Sequence, residues 1–522
     1  MVDTPQQLKL YPYDGSQDST RHPLLINPKD IVDSDNIIYT TYSTKKLRPG
    51  LTPAFANRPS GNRHILAGVD FWRLGVQRIV EYDGQFIYSV IPSSGVKSDI
   101  SFGHVIPIDE VCSFVQFQGL LCIFFYGNQT PPKKWTQTGG ITDLSVDAPN
   151  APFGRIFLNA LWIPDPDTPG RVLKSNTGDP TDFTGGDAAA YDLDINDGDP
   201  DGITAIFPPF FGSLYVSKRY SIYKLTPVII ADGSIVFSVA KIVDGIGCIA
   251  HNAVVALEST VIFPSDRGIH YLQSTDKLST ITTTFLSEQI QPPWFEETNF
   301  NRAKYMQAVY DISLTSYLLI FPRQGRNFPT DVWGYSLASN KWYRWRSYNH
   351  TSIFRYVDFN NKKLRTMVGS AVGDFGIIDD TVHNDYGVKY ASYVQSGIIS
   401  AGGPDSRYQF KSIAPIFVPQ IVGKFTITYK INGRTIETLE FNMTSSDLGD
   451  ILGEDFVLGQ SVLGGLPQVI MNDKRTMGSG NFYSLTIEHT PDDQTQYDEG
   501  FELLGILVTV DEINRLTGKV EA

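Results

Sequence analysis

Cysteine is scarce here: three in 522 residues, Cys112, Cys122 and Cys248, an odd number, each inside an apolar run and without metal-ligand spacing among them. The expectation is buried thiols in a reducing compartment. Positive charge is also short, with 43 Lys and Arg against 56 Asp and Glu, a formal net charge of −13. That balance argues against a surface built to grip phosphates or anionic lipid, though not against nucleic acid that merely passes by. No apolar run reaches the roughly 18 residues of a membrane span, and the opening MVDTPQQLKL has no apolar signal-peptide core. A soluble chain with no export signal and no membrane partner is expected. The eight His form no HExxH motif and no pairing with a reactive Cys, and no Gly-rich phosphate loop occurs.

What is present is β-forming. Aromatics make up 12% of the chain beside 45 Gly and 31 Pro, a composition that favours many short strands over helices. One unit occurs twice, at Ile203 to Leu225 and at Asn252 to Leu272. Each copy has an apolar strand, a short turn (Gly212-Ser213; Glu258-Ser259), a second strand, a polar break and a third strand ending in aromatic-x-Leu. Weaker copies begin near 69, 114, 155, 306 and 355, a spacing of roughly 41 to 53 residues. A propeller blade repeats about every 40–50 residues. The spacing therefore predicts a β-propeller of six or seven blades over residues 61–390.

Before it, residues 1–60 read as a polar lead-in, with Asn27-Pro28 predicting a short helix near Pro28 to Ser34 and a strand after Asn36. Beyond Val388 to Gly402 the rhythm stops. Strands at Ile413 to Val422, Lys424 to Ile431, Thr435 to Phe441, Ser484 to His489 and Phe501 to Val510 predict a C-terminal β-sandwich over 391–522. Asn432-Gly433 is a type I′ hairpin signal within it.

The opening pattern Asn27-Pro28-x-Asp30 with Asn36, then Lys46-Leu47-Arg48-Pro49-Gly50-Leu51 and a repetitive β region, resembles bacteriophage tail-hub proteins. These include the packaged-DNA stabilisation or nozzle proteins of short-tailed phages. The similarity runs on through Trp135, Ser175 to Phe183, Asp197 to Ile203, Ser265 to Tyr271 and Trp342 to Trp345. Phe456 to Gly465 is similar to a loop of viral tail and baseplate proteins, and Arg475 to Leu485 to a strand of the nozzle family's last domain. The resemblance implies a structural virion protein, located in the tail and in host cytoplasm during assembly. It would form a hexameric ring below the portal and adaptor, beside needle, fibre or tailspike proteins, and help retain packaged double-stranded DNA without binding it specifically. The alternatives are a carbohydrate-active propeller (glycosidase or lyase) and a baseplate hub of a long-tailed phage.

Three stretches carry candidate chemistry. Asp192, Asp194, Asn196, Asp197, Asp199 and Asp201 place carboxylates at alternate positions, as a calcium loop would, but the sixth and twelfth positions hold Asp197 and Ile203 instead of Gly and Glu. A solvated inter-blade turn is the expected reading. Ser265-Asp266-Arg267-Gly268 is similar to the Asp-box of sialidase-type propellers but lacks its spacing and its Trp, leaving a hairpin turn. Lys341-Trp342-Tyr343-Arg344-Trp345-Arg346 interleaves bases and aromatics as a single-strand binder would, or as a strand with one packed face would. No catalytic set, cofactor or metal is therefore expected, and the chain reads as a non-enzyme.

Overall fold

The computed structural model of the chain describes residues 6–9, 14–55, 63–126, 130–193, 201–231, 233–257, 259–274, 281–358, 362–400, 406–420, 422–444, 469–492 and 498–515. They fall into two compact units: residues 53–333 with 347–378, and residues 1–52 with 334–346 and 379–522.

The first unit is built from antiparallel meanders laid down in chain order. Ala67–Arg73, Val76–Tyr82, Ile87–Val90 and Lys97–Asp99 pair consecutively into one sheet. Cys112–Phe117, Leu120–Phe125, Lys133–Trp135 and Thr142–Asp143 make the second, and Arg155–Phe157, Ala160–Asp165, Arg171–Lys174 and Ala189–Asp192 the third. Ile203–Ile206, Leu214–Lys218, Ser221–Ile229 and Ile235–Asp244 form the fourth, and Val255–Leu257, Thr260–Ser265, Gly268–Ser274 and Ile281–Phe285 the fifth. Two further ladders join Gln307–Asp311 to Ser316–Phe321, and His350–Asp358 through Lys363–Ser370 to Phe375–Asp379.

Local chemistry accounts for the meanders. The pairs Arg73/Val76, Phe117/Leu120 and Phe157/Ala160 flank two-residue turns. Both turn residues have positive φ, 49° and 77° at Leu74-Gly75, 46° and 79° at Gln118-Gly119, and 47° and 56° at Leu158-Asn159. This is the I′ geometry, whose twist matches the flanking strands and which Gly and Asn tolerate best. Leu120–Phe125 is apolar throughout because its two faces serve two neighbours. Leu121, Ile123 and Phe125 pack with Phe71 and Tyr82 of the first sheet, while Cys122 and Phe124 pack with Leu161 and Ile163 of the third. Trp162 and Val172 likewise meet Val216 and Leu225, and Tyr215 and Ile222 meet Val261 and Phe263.

The expected β-propeller of six or seven blades is corrected by this pairing. The protein is all-β, but its strands form separate small sheets, and among the described residues no ladder runs from one sheet into the next or closes on itself. Neighbouring sheets are joined by side-chain packing and by isolated hydrogen bonds, such as the Val357 N–H to Asp70 at 2.9 Å and the Ile141 N–H to the Ile100 carbonyl at 2.8 Å, and a repeat in sequence records the strand-and-turn rhythm, not what the sheets enclose.

The second unit has two larger sheets. In one, Ile37–Tyr39, Lys45–Leu47, Glu502–Arg515 and Ser406–Phe417 follow one another; Gln6–Lys9 also pairs with Glu502–Arg515, and the short Ile470–Met471, Lys474–Arg475 and Ser479–Gly480 line the free side of Ser406–Phe417. In the other the order is Ile31–Asp35, Ser392–Ser396, Phe482–His489, Lys424–Ile431 and Arg434–Asn442. Asn432 and Gly433, at φ 48° and 79°, turn the last hairpin. Phe410 meets Tyr483 edge-on at 5.2 Å and Phe417 meets Phe425 at 5.2 Å, so aromatics fill the space between the sheets. Strands from residues 31–47 complete both sheets, so the pair is not a C-terminal sandwich made by 391–522 alone. The helix expected near Pro28 to Ser34 is also corrected. Asn27 accepts the Lys29 N–H at 3.1 Å and the Asp30 N–H at 2.8 Å, closing a turn, and Ile31–Asp35 is a strand paired with Ser392–Ser396. Sheet pairing and the complete burial of Ile31 outweigh a local helix-start signal.

Candidate functional site

The sequence candidates are used structurally. Asp192 closes its strand in an ion pair with Arg171 at 2.8 Å, while Asp194, Asn196, Asp197 and Asp199 lie outside the described residues, as does Phe456 to Gly465. Among the described residues no group of three or more His, Cys, Asp or Glu is placed to hold a metal ion. In the Ser265 to Gly268 turn the Ser265 hydroxyl donates to the Gly268 carbonyl at 2.9 Å and accepts the Arg267 N–H at 3.0 Å. Arg219 grips Asp266 through two bonds of 2.7 and 3.0 Å. Burial pushes the Cys122 and Cys248 thiols up to about 12 and Cys112 well above its ordinary value, the opposite of what a nucleophile needs.

The Lys341 to Arg346 stretch is not a stacking platform. Trp342, Tyr343, Arg344 and Trp345 are all buried, on both faces of the Lys341–Trp345 strand. Arg346 donates to both Asp33 oxygens at 2.7 and 3.0 Å and to the Tyr393 hydroxyl at 2.7 Å, and its N–H donates to Asp35 at 2.7 Å. The Trp345 indole donates to the Ile37 carbonyl at 3.0 Å. Burial raises the Asp35 carboxyl to about 6 against the pull of the Arg346 N–H and guanidinium. The stretch is an internal tie of the second unit.

Among the described residues of the first unit, a cavity and a projecting hairpin stand out as available to other molecules. One is a cavity of about 600 Å³ where the strands Ala67–Arg73, Cys112–Phe117, Val255–Leu257, Gln307–Asp311 and His350–Asp358 converge. Its apolar wall includes Val69, Val255, Val309 and Ile353; Trp72, Gln116, Tyr310 and Arg355 add polar and aromatic surface. Asp70, also on the wall, is committed elsewhere: it accepts the Gln77 amide at 2.9 Å and the Val357 N–H at 2.9 Å. Burial nevertheless raises its pKa, against those bonds. Arg355 lies on the same face of its strand as Ile353 and Val357, is exposed, and has no ion pair or side-chain hydrogen bond among the described residues. A second cavity of about 390 Å³, walled by Pro152, Pro164, Pro166, Pro169 and Phe153, also has a cation, but Lys304 is held there by Glu110 at 2.8 and 2.9 Å. Neither cavity was legible in the sequence beyond one hint, an isolated Asp inside the apolar run Val69-Asp70-Phe71-Trp72.

The other feature is a projecting hairpin. Ser221–Ile229 pairs with its preceding strand only as far as Leu225, whereas its pairing with Ile235–Asp244 continues to Ile229/Ile235. The tip is therefore two-stranded and carries Ile229 at 74% exposure and Ile235 at 50%, with Val228, Ile230 and Val236 also exposed. Its base is clamped: Phe237 sits edge-on against Trp162 at 4.8 Å and Tyr191 at 5.5 Å.

No family model matches the sequence, and no curated protein matches it. Among solved structures, the computationally designed Ika8 protein aligns at TM-score 0.36 and 9% identity over 63% of this chain and 99% of its own. A chain of the mitotic checkpoint complex aligns at TM-score 0.39 and 9% identity over 63% and 96%. Likenesses this weak bear on neither fold nor function. The tail-nozzle reading and its alternatives, a glycosidase or lyase and a baseplate hub, are accordingly corrected. No relative supports them, and the separate sheets do not supply the closed architecture on which they rested.

Proposed function

We propose that this chain is a non-enzymatic structural protein that works by associating with copies of itself, through the hairpin tip at Val228 to Val236. The projecting apolar hairpin carries the proposal. A two-stranded ribbon is at best marginal in water, and this one turns five large aliphatic side chains outward from a firmly packed base. Covering such a tip removes apolar surface at about 25 cal/mol per Å². Charge favours a copy meeting it there: from Leu225 to Ala240 the only charged residue is Asp232, in a chain of −13 whose copies repel elsewhere. A non-enzymatic role is supported by the structural employment of Asp192, Asp266 and Arg346 and by the raised thiol pKa values.

Sedimentation velocity tests this. The wild-type chain is expected to sediment as a concentration-dependent oligomer, and an Ile229→Asp, Ile235→Asp double variant with unchanged circular dichroism as a monomer. A wild-type chain that stays monomeric at the highest concentration reached, or a folded variant that still associates, rejects the reading.

A further inference from the structure

We infer that the cavity of about 600 Å³ in the first unit is a binding site for a small organic anion with a flat apolar body, its anionic group held by Arg355. This goes beyond self-association and rests on different residues. The volume lies within the about 300–1,000 Å³ typical of small-molecule sites, which combine mostly apolar walls with a few convergent polar groups. Here the wall is mixed: valines and Ile353 from several strands stand beside Asp70, Gln116, Arg355, Trp72 and Tyr310.

The charge pattern selects the ligand. Arg355 is exposed on the cavity wall and has no carboxylate partner among the described residues, so its guanidinium is available to a ligand. The acidic residue on the wall, Asp70, accepts the Gln77 amide on one oxygen and the Val357 N–H on the other. Arg355 is thus left as a fork of donors suited to two oxygens of one anion. Gln116 uses one amide N–H on the Asp70 carbonyl at 2.5 Å and carries no charge, so the cationic contact falls to Arg355. Trp72 and Tyr310 on the same wall offer aromatic surface against which an apolar ring can pack. Carboxylate, sulfonate and phosphate share the required geometry, so the class is defined by a single compact anionic group on an apolar frame.

The test compares 2-naphthoate with neutral 2-naphthylmethanol by saturation-transfer NMR and calorimetry on the full chain. Naphthoate is expected to bind, at least about tenfold more tightly than the alcohol, the worth of one charge-assisted pairing. Arg355→Gln should remove that preference while leaving the alcohol's affinity unchanged, and Trp72→Leu should weaken both. Naphthyl phosphate in place of naphthoate ranks the two anion types within the same class. Equal binding of acid and alcohol, no binding of either, or an Arg355→Gln variant with unaltered preference and an unaltered melting temperature overturns the inference.

Discussion

At the residue scale, burial decides what the ionisable groups do. His489 is fully buried, stacked parallel on Phe501 at 5.6 Å, with neither ring nitrogen hydrogen-bonded and Nε2 3.8 Å from Glu499. Glu499 is already paired with Lys389 at 3.0 Å. Burial lowers the His489 pKa from 6.5 to about 4, with Glu499 opposing and His383 and Lys389 assisting. A depressed histidine pKa means that the unfolded chain binds a proton the folded chain refuses. The contribution of His489 to stability is therefore full above pH 6.5 and is lost as pH falls toward about 4, at a slope of at most about 1.4 kcal/mol per pH unit. Chemical denaturation across that window should show a shallower acid loss for His489→Phe than for the wild type. Parallel curves would show that the imidazole is not responsible. Nothing in Glu488-His489-Thr490 announces this, because burial is a property of the neighbours and not of the triplet.

At the element scale, turn chemistry was readable and strand length was not. Gly75 sits at φ +77° with open space around the position its Cβ would occupy, so a side chain there meets only the backbone penalty. Gly75→Val is expected to cost about 1–2 kcal/mol, and Gly75→Asn distinctly less, because Asn tolerates the left-handed region. Urea midpoints for the two variants measure the difference; equal losses would mean that the turn is not held in I′ geometry. The projecting hairpin shows the limit of such reading. A strand pattern ending at Leu225 continues to Ile229 in the structure, across Pro227. Proline lacks an N–H and so interrupts the sequence signal, yet opposite Phe237, in a ribbon with no third strand beside it, that N–H is not required.

At the scale of the whole molecule, a unit assembled from three chain segments behaves differently from one read as continuous. Residues 1–52 and 334–346 belong with 379–522. Ser392–Ser396 pairs on one side with Ile31–Asp35, and Glu502–Arg515 pairs with Lys45–Leu47. A fragment comprising residues 391–522 loses both partners and leaves open sheet edges. It is expected to show no cooperative thermal transition by itself and to gain one when residues 1–52 are co-expressed. A sharp, independent melt of the fragment would contradict the assignment of these strands.

What the sequence determined by itself was whatever depends on neighbours a few positions apart. The all-β class, the meander rhythm and the Asn432-Gly433 turn follow from side-chain period and from the φ values that Gly and Asn accept. The tertiary structure alone decided which sheet each strand joins. Trp342 to Arg346 has a blade strand's pattern and Lys341–Trp345 is a strand, but nothing local told that Arg346 bonds to Asp33 and Trp345 to Ile37, more than three hundred positions away. Arg355 looks like any strand arginine until the folded chain places it on a cavity wall, with no ion pair among the described residues. Pairing and enclosure of this kind depend on contacts between distant segments, and no local period records which distant segment will arrive.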